Sequence, residues 1–346
     1  MIPHKAQSSH EKAYGPLGLL FALAGLTLFA YFVKRAGVGE IFAGIKRLGA
    51  AFLIVLAISA LRQAARSFAW MMCLEPPHRL RFRDAFRARV MGDTIGHLLP
   101  LASFVVAEPA KPAMIRDRVP LMAGFSAIAI ENIFYGLSVA VFVCSGMLAL
   151  LLNFHLPKSL RVASIITFVA VPVIVGSLCL LIRKELRFAS LATGLLHRRG
   201  LNVKWIEKAR TFEDRLYGFY KRNRVRFLPI LLLEACFHLF GALEIFVTLS
   251  FISQVAPTFF TAFILESVNR VITLAFKFVP LRMGVDEAGT GKVSRILQFT
   301  EATGVTLAII RKARDLFWIV VGMILLLQRG LSLRSIRRAR SSSATT

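Results

Sequence analysis

Apolar and polar positions fall along this chain in long blocks. Apolar segments lie at about 13–33, 48–74, 119–152, 160–182, 227–252, 257–279 and 302–328. Ala13 to Val33 and Val162 to Ile182 contain no charged residue, and each run is 21 residues long. About 20 residues suffice to cross the hydrocarbon core of a bilayer as a helix. The runs are rich in Leu, Ala, Phe and Ile and lack the alternation of a barrel strand. In lipid the backbone must satisfy its own hydrogen bonds, so such runs predict helices. The first run follows Lys5 and Lys12, is longer than a signal-peptide core and lacks a clear small-x-small cleavage site. It is expected to remain as the first membrane helix.

The polar blocks order these helices. The stretch 183–226 holds thirteen Lys and Arg, and its residues 204–222 read as an amphipathic surface helix. Loop 75–90 carries Arg79, Arg81, Arg83, Arg87 and Arg89. The stretch 109–118 carries Lys111, Arg116 and Arg118, and the region 329–346 is basic and Ser-rich, with its end at 341–346 expected to be unstructured. Basic loops prefer the cytoplasmic side. The chain then reads as a cytoplasmic tail at 1–12, one membrane domain at 13–328 and a cytoplasmic tail at 329–346. Segment 91–108, broken by Pro100 and Pro109, lies between two cytoplasmic loops and is expected to enter and return. The region 257–301 must do the same from the other side. Segment 34–49 is left as an outer loop despite Lys34, Arg35, Lys46 and Arg47. The expected fold is an all-α polytopic transmembrane bundle of about six full crossings plus two re-entrant helical hairpins, with both termini on the cytoplasmic side.

Two stretches echo each other. One is RVMGDTIGHLLPLASFVVAEPAK, 89–111; the other is NRVITLAFKFVPLRMGVDEAGTGK, 269–292. Glu108 follows Pro100 by eight residues, and Glu287 follows Pro280 by seven. Before each proline, polar residues recur on one helix face: Arg89, Asp93 and His97, then Asn269, Thr273 and Lys277. Downstream, Glu131-Asn132-Ile133-Phe134-Tyr135 is matched by Arg314-Asp315-Leu316-Phe317-Trp318. Three crossings, 119–152, 160–182 and 227–252, separate the copies. An odd number inverts the second, which is how many secondary transporters build a midplane site from broken helices.

Charge then marks candidate chemistry. The formal net charge is +25 and the mean hydropathy +0.64. With no nucleic-acid recognition motif, the basic excess reads as loop charge near anionic headgroups. A charge at the bilayer centre costs about 2.5–3.5 kcal/mol on insertion scales, yet the apolar segments contain Arg62, Arg66, Glu131, Glu234, His238, Glu244, Glu266, Arg270, Arg311, Arg314 and Asp315. Glu266–Arg270 and Arg311–Asp315 are spaced as i,i+4 ion pairs. Arg62, near a helix end, either snorkels to the interface or supports the site as a buried charge. Glu131 has no local partner, and the pseudo-symmetry nominates Arg314. Lys111, Lys277, Arg282 and Lys292 are the cations that Glu108 and Glu287 balance when the site is empty. Carbonyls and amides freed at Pro100 and Pro280, ringed by cations, suit a lipid phosphate. Cys73, Cys144, Cys179 and Cys236 are isolated, and no cysteine, histidine or carboxylate group has metal-ligand spacing. No cofactor is expected.

On these residues the chain resembles the flippase-like membrane domain of bacterial lysylphosphatidylglycerol synthases. The resemblance is carried by Arg62, Arg66 and Trp70; by Pro100 to Glu108 followed by Glu131; and by Pro280, Gly284 and Glu287 followed by Arg314. Ala107 and Lys111 stand where that group usually has glycine and often arginine. The resemblance implies a domain that moves or handles a phospholipid or isoprenoid-type lipid. Full-length synthases add a soluble aminoacyl-transferase domain; only 18 residues follow Gln328 here, so that module, and synthase activity, are not expected. Three functions stay open: lipid translocation with anionic lipids as partners, a membrane enzyme using Glu108 and Glu287 as acid and base, and a scaffold for an envelope enzyme. Nucleic acid is not an expected partner.

Overall fold

The computed structural model describes residues 38–99, 106–184, 203–277 and 279–342. The first apolar run, 13–33, and the tail 1–12 lie outside the described residues, as do Pro100, part of the basic stretch and 343–346. Among the described residues there are eleven α-helices and no strand. These are α1 Val38–Leu48, α2 Ala51–Met72, α3 Phe82–Leu98, α4 Glu108–Met114, α5 Leu121–Asn153, α6 Lys158–Arg183, α7 Val203–Arg222, α8 Phe227–Ile252, α9 Phe259–Ala275, α10 Val285–Ile296 and α11 Glu301–Ser342.

Among the described residues, α2, α5, α6 and α8 are long and apolar enough to span a membrane. They coincide with the apolar segments 48–74, 119–152, 160–182 and 227–252. Segment 302–328 lies within α11, whose Arg311, Lys312, Arg314 and Asp315 dilute its hydropathy. The helix continues past Gln328 to Ser342, so residues 341 and 342, expected to be unstructured, end a helix instead. Segment 34–49 also departs from expectation. Rather than a loop, α1 forms there, because Phe42, Ile45 and Leu48 recur at helical spacing, and it packs on α11. The surface helix expected at 204–222 is α7. Its Phe219 is fully buried among Trp70, Ile130, Phe134 and Ile230.

Each proline-bearing segment folds as a helix, a break and a second helix. In the first, α3 ends at Leu98 and α4 starts at Glu108; in the second, α9 ends at Ala275 and α10 starts at Val285. Both pairs pack against each other as hairpins. The second break is described in detail. A short 3₁₀ turn, Pro280–Arg282, contains Leu281 and Arg282 at φ +48° and +51°, followed by Gly284 at φ +79°. Two successive side-chain-bearing residues at positive φ are costly, and such strain is held only where surroundings over-determine it.

The breaks meet. Leu98, the last residue of α3, shares one buried cluster with Leu281 and with Ala313, Leu316 and Ile319 of α11. α11 runs along α3 at close range: Gly322 faces Thr94 and the Val90 carbonyl with no room for a Cβ. The outward faces are apolar. Leu53, Ile54 and Leu61 on α2, and Val162, Ile166, Val169, Val173 and Ile174 on α6, are exposed. Contiguous surfaces of this kind belong in lipid.

Candidate functional site

The charges within the apolar segments are buried and joined into two neighbouring networks. In the first, Asp93 of α3 accepts from Lys111 of α4 at 2.9 Å, and Lys111 also reaches Glu108 at 2.9 Å. Lys111 is almost wholly buried, while Asp93 and Glu108 keep about a quarter of their side-chain surface. Asn132 of α5 donates to the other oxygen of Glu108 at 3.0 Å. Beside it, Glu131 accepts from Arg66 Nε of α2 at 2.9 Å and from Arg89 Nη2 of α3 at 2.8 Å. Arg66 also reaches Asn132 at 3.3 Å and lies over the Tyr135 ring at 3.8 Å. Glu234 of α8 is fully buried next to Glu131; its oxygens receive no hydrogen bond among the described residues, and Arg66 Nε is 3.6 Å away.

The second network centres on α9 and α11. Arg62, one turn before Arg66, donates to Glu244 of α8 at 2.9 Å and to Glu266 of α9 at 3.2 Å. Arg270 and Asn269 close on Glu266 at 2.9 and 3.0 Å. Arg314 pairs with Glu244 and donates to Asp315 at 3.1 Å from Nε. Arg282, in the second break, reaches Asp315 at 3.3 Å. Within α10, Glu287 caps the helix start through the Gly284 amide and pairs with Lys312 of α11. Asp286 takes Arg311 at 2.9 Å and the Thr290 hydroxyl at 3.2 Å. Gly241 on α8 lets Glu266 and Arg62 approach its backbone, where a Cβ would collide.

The ring of Phe237 joins the networks. Arg62, Arg270 and Arg66 lie 4.7, 4.9 and 5.6 Å from its centroid. Cations over an aromatic face gain electrostatic attraction that grows as water is excluded. Lys277, just after α9, lies in the field of Glu108 and Asp93 across the seam.

Several expected partners are corrected. Glu131 does not meet Arg314: Arg66 and Arg89 occupy the first, Glu244 and Asp315 the second. Arg311 does not pair with Asp315. It is buried against α10 and bonds Asp286, while Asp315 turns to Arg314 and Arg282. Arg62 does not snorkel; it sits mid-helix and is doubly paired. Lys292 is exposed and balances neither glutamate. Glu287 is instead held by Lys312, and His97 bonds the Asp93 carbonyl of its own helix at 2.8 Å. Glu266–Arg270 and Glu108–Lys111 pair within their own segments. The downstream echo has a structural counterpart: Asn132 holds Glu108 of the hairpin before it, and Asp315 holds Arg282 of the hairpin before it.

Sequence reasoning left Arg89, Glu234, Glu244, Asp286, Lys312 and Phe237 out of the candidate set. For Glu234 and Glu244 the signal was present, since both interrupt an apolar span. Asp286 and Lys312 sit among other polar residues, and Phe237 among many phenylalanines, so nothing local distinguishes them.

No group of His, Cys, Asp or Glu side chains among the described residues has the arrangement of a metal site. Arg62, Arg270 and Arg314 keep about a tenth of their side-chain surface accessible, with carboxylates in reach, and guanidinium groups of this kind suit an anionic group. No curated protein and no solved structure matches this chain. A lipid-related membrane family does: over residues 17–322 the chain matches the lysylphosphatidylglycerol synthase transmembrane region, and it belongs to that family.

Proposed function

We propose that this protein translocates or handles an anionic phospholipid or isoprenoid-type lipid, at the seam where its two broken-helix hairpins meet. In this reading the chain makes about six crossings, the hairpins are re-entrant and related by an inverted repeat, and both termini face the cytoplasm of a bacterial inner membrane. The observation that carries it is the shared burial of Leu98 and Leu281 beside the ionic networks. Two helix breaks meeting within an apolar bundle leave backbone polar groups that only protein or a wet cavity can satisfy. Arg62, Arg270 and Arg314 attract the headgroup phosphate. Lys111, Lys277 and Arg282, at the breaks, pass it on, with Glu108, Glu287 and Asp315 as the counter-ions it displaces.

The test is reconstitution into vesicles carrying a headgroup-labelled anionic lipid, with quenching from outside. Wild-type protein is expected to expose inner-leaflet label, and Arg270→Gln and Lys111→Met to lose that activity. A folded protein that moves none of the labelled phospholipids or polyprenyl phosphates overturns the reading.

The many ion pairs that tie the buried helices together also favour a second reading, a rigid scaffold for an envelope enzyme. A scaffold retains its function when Glu131 and Glu287 are replaced by glutamine, whereas a transporter does not.

A further inference from the structure

A cleft of about 460 Å³ opens far from the breaks, between the start of α3, the turn after α4 and the later part of α11. Its floor is apolar: Ala88, Met91, Met114, Ile115 and Leu325. Its rim is charged. Arg118 Nε lies 3.0 Å from Asp84, and Arg329 Nη2 lies 3.2 Å from Asp117. Arg87, on the same rim, is exposed and has no ion-pair or hydrogen-bond partner among the described residues. The volume is within the range of small-ligand sites.

We propose that this cleft holds the phosphodiester headgroup of a singly charged anionic phospholipid, as a loading position for the seam. The proposal rests on the lipid-handling reading above. Arg87, Arg118 and Arg329, with Arg116 also 3.9 Å from Asp117, outnumber Asp84 and Asp117 and leave the rim positive, a charge that an anionic phosphodiester offsets. Arg87 is exposed and unpaired among the described residues, and guanidinium–phosphate bonds are short, charge-assisted and directional. The apolar floor accepts the glycerol and upper acyl carbons. Phe82, Leu121 and Leu327, beside the rim residues in sequence, are exposed apolar side chains of the kind lipid covers.

The position suits loading. Arg87 and His97 are ten residues apart on one helix, and Asp315 and Gln328 thirteen apart on another. At 1.5 Å per residue these are about 15 and 20 Å, close to half of a hydrocarbon core about 30 Å thick. With the breaks near the midplane, the cleft sits at one membrane boundary. The seam between α3 and α11, where Gly322 lets Thr94 approach, joins the two positions.

The experiment is crosslinking of the full-length protein in nanodiscs with phosphatidylglycerol bearing a photoactivatable acyl chain, followed by peptide mapping. Adducts are expected on 84–91, 114–118 and 325–329. Arg87→Gln is expected to reduce them about tenfold, the scale of one lost charged hydrogen bond, and Leu325→Trp to reduce them by filling the cleft. Because Arg87 is exposed and unpaired, Arg87→Gln should retain the melting midpoint of the wild type. Photoactivatable phosphatidylcholine is expected to label the cleft about tenfold less.

Equal labelling by phosphatidylcholine, or adducts unchanged in both variants, overturns the proposal. So does complete loss of adducts when millimolar glycerol 1-phosphate is added, since the cleft would then take a soluble phosphate ester. Cleft adducts that persist in a protein inactive in translocation leave this site standing and bring down the lipid-moving reading alone.

Discussion

The two hairpins differ in charge although their architecture is the same. Around the first, the acids Asp93, Glu108, Glu131 and Glu234 outnumber the bases Arg66, Arg89 and Lys111. Around the second, Arg62, Arg270, Lys277, Arg282, Arg311, Lys312 and Arg314 outnumber Glu244, Glu266, Asp286, Glu287 and Asp315. The imbalance runs in opposite directions, so the field across the seam is complementary. Lys277, just after α9, interacts with both signs of charge on the first side, Glu108 and Asp93 as well as Lys111 and Arg66. Matching halves of one sign would repel in a medium where charges are poorly screened. The comparison separates two kinds of group. The second side is locked, with Glu266 bonded by Arg62, Arg270 and Asn269. The first side is looser, with Asp93 and Glu108 still partly exposed.

Substitutions sharpen that contrast. The largest effect is expected for Glu266→Gln, which leaves Arg62 and Arg270 buried and under-compensated. Breaking a buried pair costs about 3–5 kcal/mol, read as a sharp fall in the melting midpoint in detergent. Lys111→Met is expected to cost less, about 2 kcal/mol, because water reaches the two carboxylates it leaves behind. If Lys111→Met destabilises as much as Glu266→Gln, the first hairpin is not the looser one. Gly284→Ala forces a Cβ into a conformation with φ +79°, at about 1–2 kcal/mol, and should loosen the Glu287 cap of α10. The double replacement Glu131→Gln with Arg314→Ala should be additive within about 0.5 kcal/mol, because the two residues share no partner. Lys292→Ala, at an exposed position, is expected to change stability by less than about 0.5 kcal/mol.

Much of the fold was legible because lipid imposes a local rule. An apolar run long enough to cross must be a helix, and the ends of α2, α5, α6 and α8 follow the apolar runs within a few residues. The breaks were legible through proline and glycine. The partners were not. Arg62 meets Glu244 and Glu266 across 182 and 204 residues of chain, and nothing in the spacing of charges identifies such a contact. The i,i+4 rule succeeded for Glu266–Arg270 and failed for Arg311–Asp315. In the second case α10 supplies Asp286 on the face where Arg311 is buried, and a carboxylate in position outcompetes one a turn away. Symmetry reasoning paired Glu131 with Arg314, but each already had a nearer counter-ion on α2, α3 or α8. The α1 helix was passed over because its eleven residues are too few to cross, although Ile45 and Leu48 give it an apolar face that α11 and α2 cover.

Arg62 and Arg66 stand one helical turn apart on α2 and point to opposite networks, the one to Glu244 and Glu266, the other to Glu131 and Asn132. α2 is therefore an axle that ties α8 and α9 on one side to α5 on the other. Sliding one side past the other would tear a guanidinium from its acids, so a single turn of helix fixes the spacing of the two networks.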